Sequence, residues 1–310
     1  MSGVVLDGKK IRDEILEELK PRIAAITRKR GLPPALAVVL VGDNPASHIY
    51  VRNKIKTCQE LGIRSVEITA PQNISTRDLQ DQLQPLIEDS SVDGILIQMP
   101  LPKQIDPEDI VTYAVDPLRD VDGFGAPSLG RLVQNKPGPR ACTPAGIMEM
   151  LKRYKIPIAG KKAVVVGRSD IVGKPMALML LHANATVSIC HSRTQNLAGE
   201  CRSADILIAA IGQPALIQAE HIKPGAVVID VGMNRISEES EAHRIFRGDP
   251  AKLGSFRKNG SVLVGDVDPV ALREISSAYT PVPGGVGPLT IAMLMANTVE
   301  IAEKRPVQAS

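Results

Sequence analysis

The sequence predicts an α/β fold in two domains, and three observations carry that prediction. The chain has 310 residues, about twice the ~150 that one hydrophobic core usually serves. Short β-branched runs alternate with segments of helical periodicity in both halves, the pattern of βαβ units around mostly parallel sheets. Hydrophobic residues make up 44% of the chain, which is sufficient for two packed cores.

The elements follow in order. Ile11, Ile15, Leu19, Ile23 and Ile26 recur at helical spacing between charged neighbours and predict an amphipathic opening helix. A strand over Ala35 to Val41 follows. Gly42, Asp43, Asn44 and Pro45 then turn the chain into a helix running to about Leu61, with Gly62 as its stop. Ser65 to Thr69 and Gly94 to Gln98 read as strands separated by a helix over Ser75 to Asp89. Met99-Pro100-Leu101-Pro102 ends the third strand sharply, because proline cannot continue a ladder. Whatever lies there sits at a strand's carboxyl end, where open α/β sheets bind ligands. From about Pro117 to Pro139 a stretch rich in Gly, Pro and Asp reads as an active-site loop approaching a domain boundary.

Beyond Thr143-Pro144 a helix to about Tyr154 leads into a second alternation. Its strands are Ala163 to Val166, Thr186 to Cys190, Ile206 to Ala210, Ala226 to Val231 and Val262 to Val264, mostly continuous apolar runs suited to burial on both faces. Thr290 to Lys304 is apolar at helical spacing and closes the fold.

Composition excludes several function classes. A net charge of +3 with no basic run gives no electrostatic case for nucleic acid, and with no Trp, three Phe and four Tyr a base-stacking surface is not expected. Cys58, Cys142, Cys190 and Cys201 show no C-x-x-C spacing and no disulfide-framework density, so no metal site is expected and a reducing compartment is. The N-terminus lacks an apolar signal core, and no stretch approaches the ~18 apolar residues of a membrane span. A cytoplasmic location and no membrane partner follow as expectations.

The most informative motif is Ala163-Val164-Val165-Val166-Gly167-Arg168-Ser169-Asp170-Ile171-Val172-Gly173-Lys174-Pro175, a buried strand breaking into a Gly-punctuated turn and then a helix. Free N–H groups and the positive end of such a helix favour a phosphate. Ser169 replaces the middle Gly of the dinucleotide fingerprint, and the last Gly comes one residue late. The next strand ends about twenty residues on in Cys190-His191-Ser192-Arg193-Thr194, without the acidic residue that holds an NAD ribose. Arg168, Ser192 and Arg193 supply donors and charge for a 2′-phosphate, which predicts NADP. His191 either touches the adenine or caps its strand.

Four further strings carry a family resemblance: Tyr50-Val51-Arg52-Asn53-Lys54, Ile97-Gln98-Met99-Pro100-Leu101-Pro102, Asp120-Val121-Asp122-Gly123-Phe124 and Pro281-Val282-Pro283-Gly284-Gly285-Val286-Gly287-Pro288. Together with Gly167-Arg168-Ser169 they make the chain resemble the bifunctional methylenetetrahydrofolate dehydrogenase/cyclohydrolase family over nearly its whole length. The resemblance implies an N-terminal three-layer αβα catalytic domain over 1–140, completed by the helix 288–310, and a Rossmann-type NADP-binding domain over 141–287. It also implies a cleft between the domains and a homodimer. Lys54 is then the central catalytic residue, with Gln98 beside it, Tyr50 stacking on the folate ring and Asp122 hydrogen-bonding the pterin. Pro283, Gly284 and Gly287 border the substrate, while Thr143 and Met233 join the cofactor contacts.

The chemistry sets a demand on Lys54. Hydrolysis of a methenyl cation needs a proton acceptor, and an ordinary lysine of pKa ~10.4 meets that need at neutral pH only at a cost of about 4 kcal/mol. Burial or a cationic substrate lowers that cost. Two departures from the family pattern stand out. His48 stands where Gln is expected, and the polar segment Ile236 to Asn259 is longer than usual, which reads as a surface excursion. A dehydrogenase of shikimate or amino-acid type would account for Gly167 to Gly173 but not for Tyr50-x-x-x-Lys54 or the Pro281 to Pro288 turn, and a non-catalytic nucleotide-sensing module is the reading favoured if Lys54 is inert and NADP binds without turnover. With no P-loop, a formyltetrahydrofolate synthetase activity is not expected.

Overall fold

A computed structural model describes residues 3–247 and 249–305. In chain order, β1 (Val4–Val5) and α1 (Gly8–Arg30) lead to β2 (Ala35–Val41), α2 (Pro45–Leu61), β3 (Arg64–Ala70), α3 (Thr76–Glu88), β4 (Gly94–Ile97), α4 (Pro107–Ala114) and α5 (Ala126–Val133). There follow α6 (Cys142–Arg153), β5 (Lys162–Val166), α7 (Gly173–His182), β6 (Thr186–Cys190), α8 (Leu197–Arg202), β7 (Ile206–Ala209) and β8 (Val227–Asp230). The chain finishes with β9 (Asn234–Ile236), α9 (Glu239–Phe246), α10 (Pro250–Asn259), β10 (Val262–Val264), α11 (Pro269–Ile275), β11 (Ala278–Tyr279) and α12 (Gly287–Lys304).

Two compact units result: Arg12–Cys142 with Ile291–Ser310, and Met1–Ile11 with Thr143–Thr290. Their limits differ from the expected domain limits chiefly at the start of the chain. The first eleven residues group with the second half because β1 extends that half's sheet, pairing in parallel with β11. No helix among the described residues is long and apolar enough to cross a membrane.

In the first unit β2 lies between β3 and β4, all parallel. Its run Ala-Leu-Ala-Val-Val-Leu-Val is buried at every position, which is why it is apolar without alternation. Ile15, Leu19, Ile23 and Ile26 of α1 are each at most 5% exposed, as their spacing predicts. Helix α3 starts and stops where its caps dictate: Ser75 Oγ accepts from the Asp78 N–H at 3.1 Å, and the Asp89 N–H returns to the Pro85 carbonyl. The expected loop over 117–139 is corrected by α5, which enters it behind Gly125 with proline in its first turn. Such a short helix, with Gly130 at its centre, leaves little periodicity to read.

The second unit is built on a parallel sheet of order β1-β11-β8-β7-β5-β6. Two expectations change here. Val262 to Val264 is a strand, but it pairs antiparallel with β9 in a separate two-stranded ribbon. The places at the far side of the sheet go to β11 and β1, two-residue strands too short to show a pattern. The segment 236–259 is likewise more than a surface excursion. Ala242, Ile245, Phe246, Leu253 and Phe256 of α9 and α10 pack with Ile236, Val262 and Val264 into a core of their own.

Candidate active site

In the first unit, α2 presents Tyr50 and Lys54 one turn apart. Val51, Cys58 and Leu61 of the same helix are buried, while Tyr50 is 49% exposed and Lys54 half-buried. The Gln98 N–H donates to the Val39 carbonyl at 2.9 Å, so the backbone just past β4 is still held to β2. Its side chain is committed at both ends. Oε1 accepts from Lys54 Nζ at 2.9 Å, and Nε2 donates to the Met99 carbonyl at 2.7 Å.

Asp122 stands on a turn tied by a second carboxylate. Asp120, 4% exposed, accepts from the Gly123 N–H at 2.9 Å and the Gly125 N–H at 3.0 Å. Gly123 has φ +70°, and a Cβ there would run into the Arg140 carbonyl group, so glycine is required. Burial raises the Asp122 pKa to about 6; the nearby Lys54 charge opposes the rise and Asp120 adds to it. Cys142 is buried alongside, its thiol pushed well above its ordinary range by burial and by Asp122, which makes it an inert thiol. Lys54, Gln98 and Asp122 are therefore brought together, with Tyr50 one turn earlier on the same helix.

In the second unit, β5 and β6 run side by side with Val166 opposite Cys190, and the Gly167 N–H donates to the Cys190 carbonyl at 2.9 Å. This register sets Gly167, Arg168 and Ser169 next to Ser192 and Arg193 at adjacent carboxyl ends. Arg168, Ser169, Ser192 and Arg193 are all exposed. A Cβ at Gly167 would strike the Ala210 carbonyl, and one at Gly173 would strike the Gly167 carbonyl, so the turn folds tightly over the start of α7. Ser169 Oγ accepts from the Val172 and Gly173 N–H groups at 3.3 Å each. It thus ties the turn to the first N–H groups of α7. His191 Nδ1 accepts from the Arg193 N–H at 3.1 Å, so the histidine shapes the strand end. These closely packed glycines and exposed cations fit an NADP phosphate.

The other predicted residues of this unit pair off. Thr143 Oγ1 and Thr290 Oγ1 share a hydrogen bond at 3.0 Å. Met233, 48% exposed, lies against Gly287, where an added Cβ would come within 3.1 Å of Met233 Cε. Gly284 has φ +109°, and its carbonyl accepts from the Gly8 N–H at 3.0 Å. Pro283, just before it, is exposed.

Sequence reasoning missed two buried carboxylates that organise the loops after β7 and β8. Asp266, fully buried, accepts from the N–H groups of Ile211, Gly212 and Gln213 and from Asn234 Nδ2. Asp230, 2% exposed, accepts from the N–H groups of Gly232, Asp266 and Val267. Its pKa rises to about 7 through burial, offset by those hydrogen bonds. The available signal was an aspartate ending an apolar strand at Val-Val-Ile-Asp230 and another inside Val264-Gly265-Asp266.

Comparison with known proteins agrees with both halves. Residues 6–122 match the tetrahydrofolate dehydrogenase/cyclohydrolase catalytic domain, and residues 141–306 match the NAD(P)-binding domain of the same family. The bifunctional protein FolD of Solibacter usitatus is 62% identical over 301 residues, covering 97% of this chain and 98% of that protein. Its counterpart from Koribacter versatilis is 54% identical over 305 residues, covering 98% of each. Among solved structures, the bifunctional FolD enzyme of Campylobacter jejuni superposes with a TM-score of 0.88 at 42% identity, covering 98% of this chain and 99% of that one. The Trypanosoma brucei enzyme, complexed with NADP cofactor and inhibitor, gives 0.87 at 34% identity with 98% of each chain covered. With both domains matched in order and relatives this similar over almost their full length, the chain belongs to the tetrahydrofolate dehydrogenase/cyclohydrolase family.

Proposed function

We propose that Lys54, Gln98 and Asp122 carry the one-carbon chemistry of this bifunctional enzyme. It oxidises 5,10-methylenetetrahydrofolate to 5,10-methenyltetrahydrofolate with NADP and hydrolyses that product to 10-formyltetrahydrofolate. The observation that carries the proposal is the 2.9 Å hydrogen bond from Lys54 Nζ to Gln98 Oε1, formed beside the Asp122 carboxylate.

NADP, when bound, supplies the two-electron acceptor for the first step. Gly167 and Ser169 hold its pyrophosphate, Arg168, Ser192 and Arg193 its 2′-phosphate, and Thr143 and Met233 complete its contacts. Tyr50 stacks on the folate ring, Asp122 accepts from pterin N–H groups, and Pro283, Gly284 and Gly287 offer backbone to the substrate. Lys54 takes the proton from the attacking water, directly or through a second water. Gln98 suits that role because a neutral amide oxygen accepts from lysine in either protonation state. A carboxylate in its place would hold the proton on the nitrogen.

A spectrophotometric assay tests this reading. Methylenetetrahydrofolate with NADP should yield NADPH and a transient methenyl product that decays, and NAD should be a poor substitute. NADP binding with no turnover would instead indicate a nucleotide-sensing module. Replacing Arg168 and Arg193 together with alanine should raise the NADP Kd by about 10- to 100-fold, the loss expected for charged hydrogen bonds, and leave the NAD Kd little changed. An equal change for both cofactors would remove the 2′-phosphate assignment.

Asp122 also predicts a pH dependence. Its carboxylate is ionised above about pH 6 and protonated below. Tetrahydrofolate affinity, read by fluorescence titration, should therefore fall by roughly tenfold between pH 7.5 and 5, and this fall should vanish in Asp122→Asn. A profile that Asp122→Asn leaves unaltered would exclude the carboxylate as the acceptor.

A homodimer is part of the same reading. The outer edge strand β6 bears exposed Thr186 and Ile189 and pairs only with β5 among the described residues, leaving an edge open to a second copy. Light scattering tests it. Cys58, Cys142, Cys190 and Cys201 are all free and buried, which supports a reducing compartment such as the cytoplasm.

A further inference from the structure

We propose that Asn297 is a positioning residue for the folate-binding turn, its amide joining two backbone segments and so setting where Asp122 stands. The inference rests on the reading of Asp122 given above.

Asn297 lies on α12 and is 5% exposed. Its Nδ2 donates to the Val121 carbonyl at 2.7 Å and the Arg140 carbonyl at 3.0 Å. Both protons of the amide are thereby used, one on each side of the turn. Val121 is the residue immediately before Asp122 and is itself fully buried. Arg140 is the residue whose carbonyl blocks any side chain at Gly123. The two segments flanking Asp122 thus meet at one amide from a helix 176 residues away in sequence from Val121. The Cys142 thiol adds a weaker bond to the Val121 carbonyl at 3.4 Å and lies 3.6 Å from Asn297 Nδ2.

The same helix also reaches the helix that carries Lys54. Met295 Sδ lies 3.6 Å from Cys58 Sγ, and Cys58 sits one turn beyond Lys54 on α2. Two contacts two residues apart on α12 therefore fix the spacing between the lysine and the carboxylate. Thr298, the next residue, is buried too, but its hydroxyl donates only to the Leu294 carbonyl within α12, at 2.8 Å. It provides a control that perturbs the helix without removing a hydrogen bond to the turn.

The experiment compares Asn297→Leu, Asp122→Asn and Thr298→Val in the full-length enzyme, measuring KM for methylenetetrahydrofolate, KM for NADP, kcat and Tm. Asn297→Leu should raise the folate KM by about tenfold with the NADP KM within twofold, and Thr298→Val should lower Tm with both KM values unchanged. If Asn297→Leu is not recovered folded, Asn297→Ser, which keeps one donor, should show a smaller shift in the same direction. A folate KM unmoved by both Asn297 variants while Asp122→Asn raises it would overturn the positioning role alone. A folate KM unmoved by Asp122→Asn would overturn the reading of Asp122 beneath it. Folate and NADP KM rising together in Asn297→Leu would mark general loosening and also defeat the proposal.

Discussion

Replacing Lys54 with methionine should abolish cyclohydrolase turnover, by at least ~10³-fold, while the NADP Kd stays within about twofold. A positioned general base contributes about 10² to 10⁴ in rate, and among the described residues no second amine shares the hydrogen bond with Gln98, so the loss should lie toward the upper part of that range. Methionine keeps the length and much of the apolar stem, so half-buried packing on α2 survives and Tm should move little. The cofactor turn lies in the other compact unit and holds none of the altered atoms. Following decay of methenyltetrahydrofolate at fixed enzyme concentration is the direct measurement. Undiminished decay would remove Lys54 from the hydrolytic step. Gln98→Glu is the informative companion, because a carboxylate beside the amine should hold it protonated and slow hydrolysis.

Removing the Asp266 carboxylate should have the largest effect on stability. In Asp266→Ala, three backbone N–H groups and the Asn234 amide lose their acceptor, a carboxylate that is itself fully buried. A hydrogen bond to a charged group contributes ~1.5 to 3 kcal/mol, and although water can replace the acceptor for the exposed Gly212 and Gln213 amides, the variant should lose ~3 kcal/mol. For a unit of this size that corresponds to a fall in Tm of about 6 to 12 °C, readable by calorimetry. The loops over 211–213 and 232–234 should loosen together, since Asp230 fastens Gly232 and the Asp266 N–H in the same cluster. NADP affinity should weaken with them. A Tm within 2 °C of the parent would show that water or a rearranged neighbour replaces the carboxylate.

Much of the fold was legible in the residues themselves. The chain's α/β class, the bounds of β2, β6 and β10, and the start and stop of α2 and α3 follow from local chemistry: continuous apolar runs, an Asn-Pro entry, a serine cap and a terminal glycine. Tyr50 and Lys54 share a helix and could be paired from spacing alone. So could the Gly167 turn, whose strand, glycines and helix are contiguous. Gly167 and Gly173 stand in the expected strand-to-helix turn despite Ser169, whose hydroxyl accepts from the Val172 and Gly173 N–H groups.

What only the tertiary structure decided is whatever depends on residues distant in sequence. Lys54 and Gln98 are 44 positions apart, and no periodicity links them. β1 and β11 are two residues each and become strands only because β8 offers an edge to build on. Val262 to Val264 carries a strand's composition, yet its partner was settled by where β9 ended. Asp230, Asp266 and Asn297 carry no signature beyond a polar letter in an apolar neighbourhood. Local propensity depends on neighbours a few residues away, whereas a buried carboxylate or amide takes its meaning from backbone groups that reach it only once the chain has closed around them.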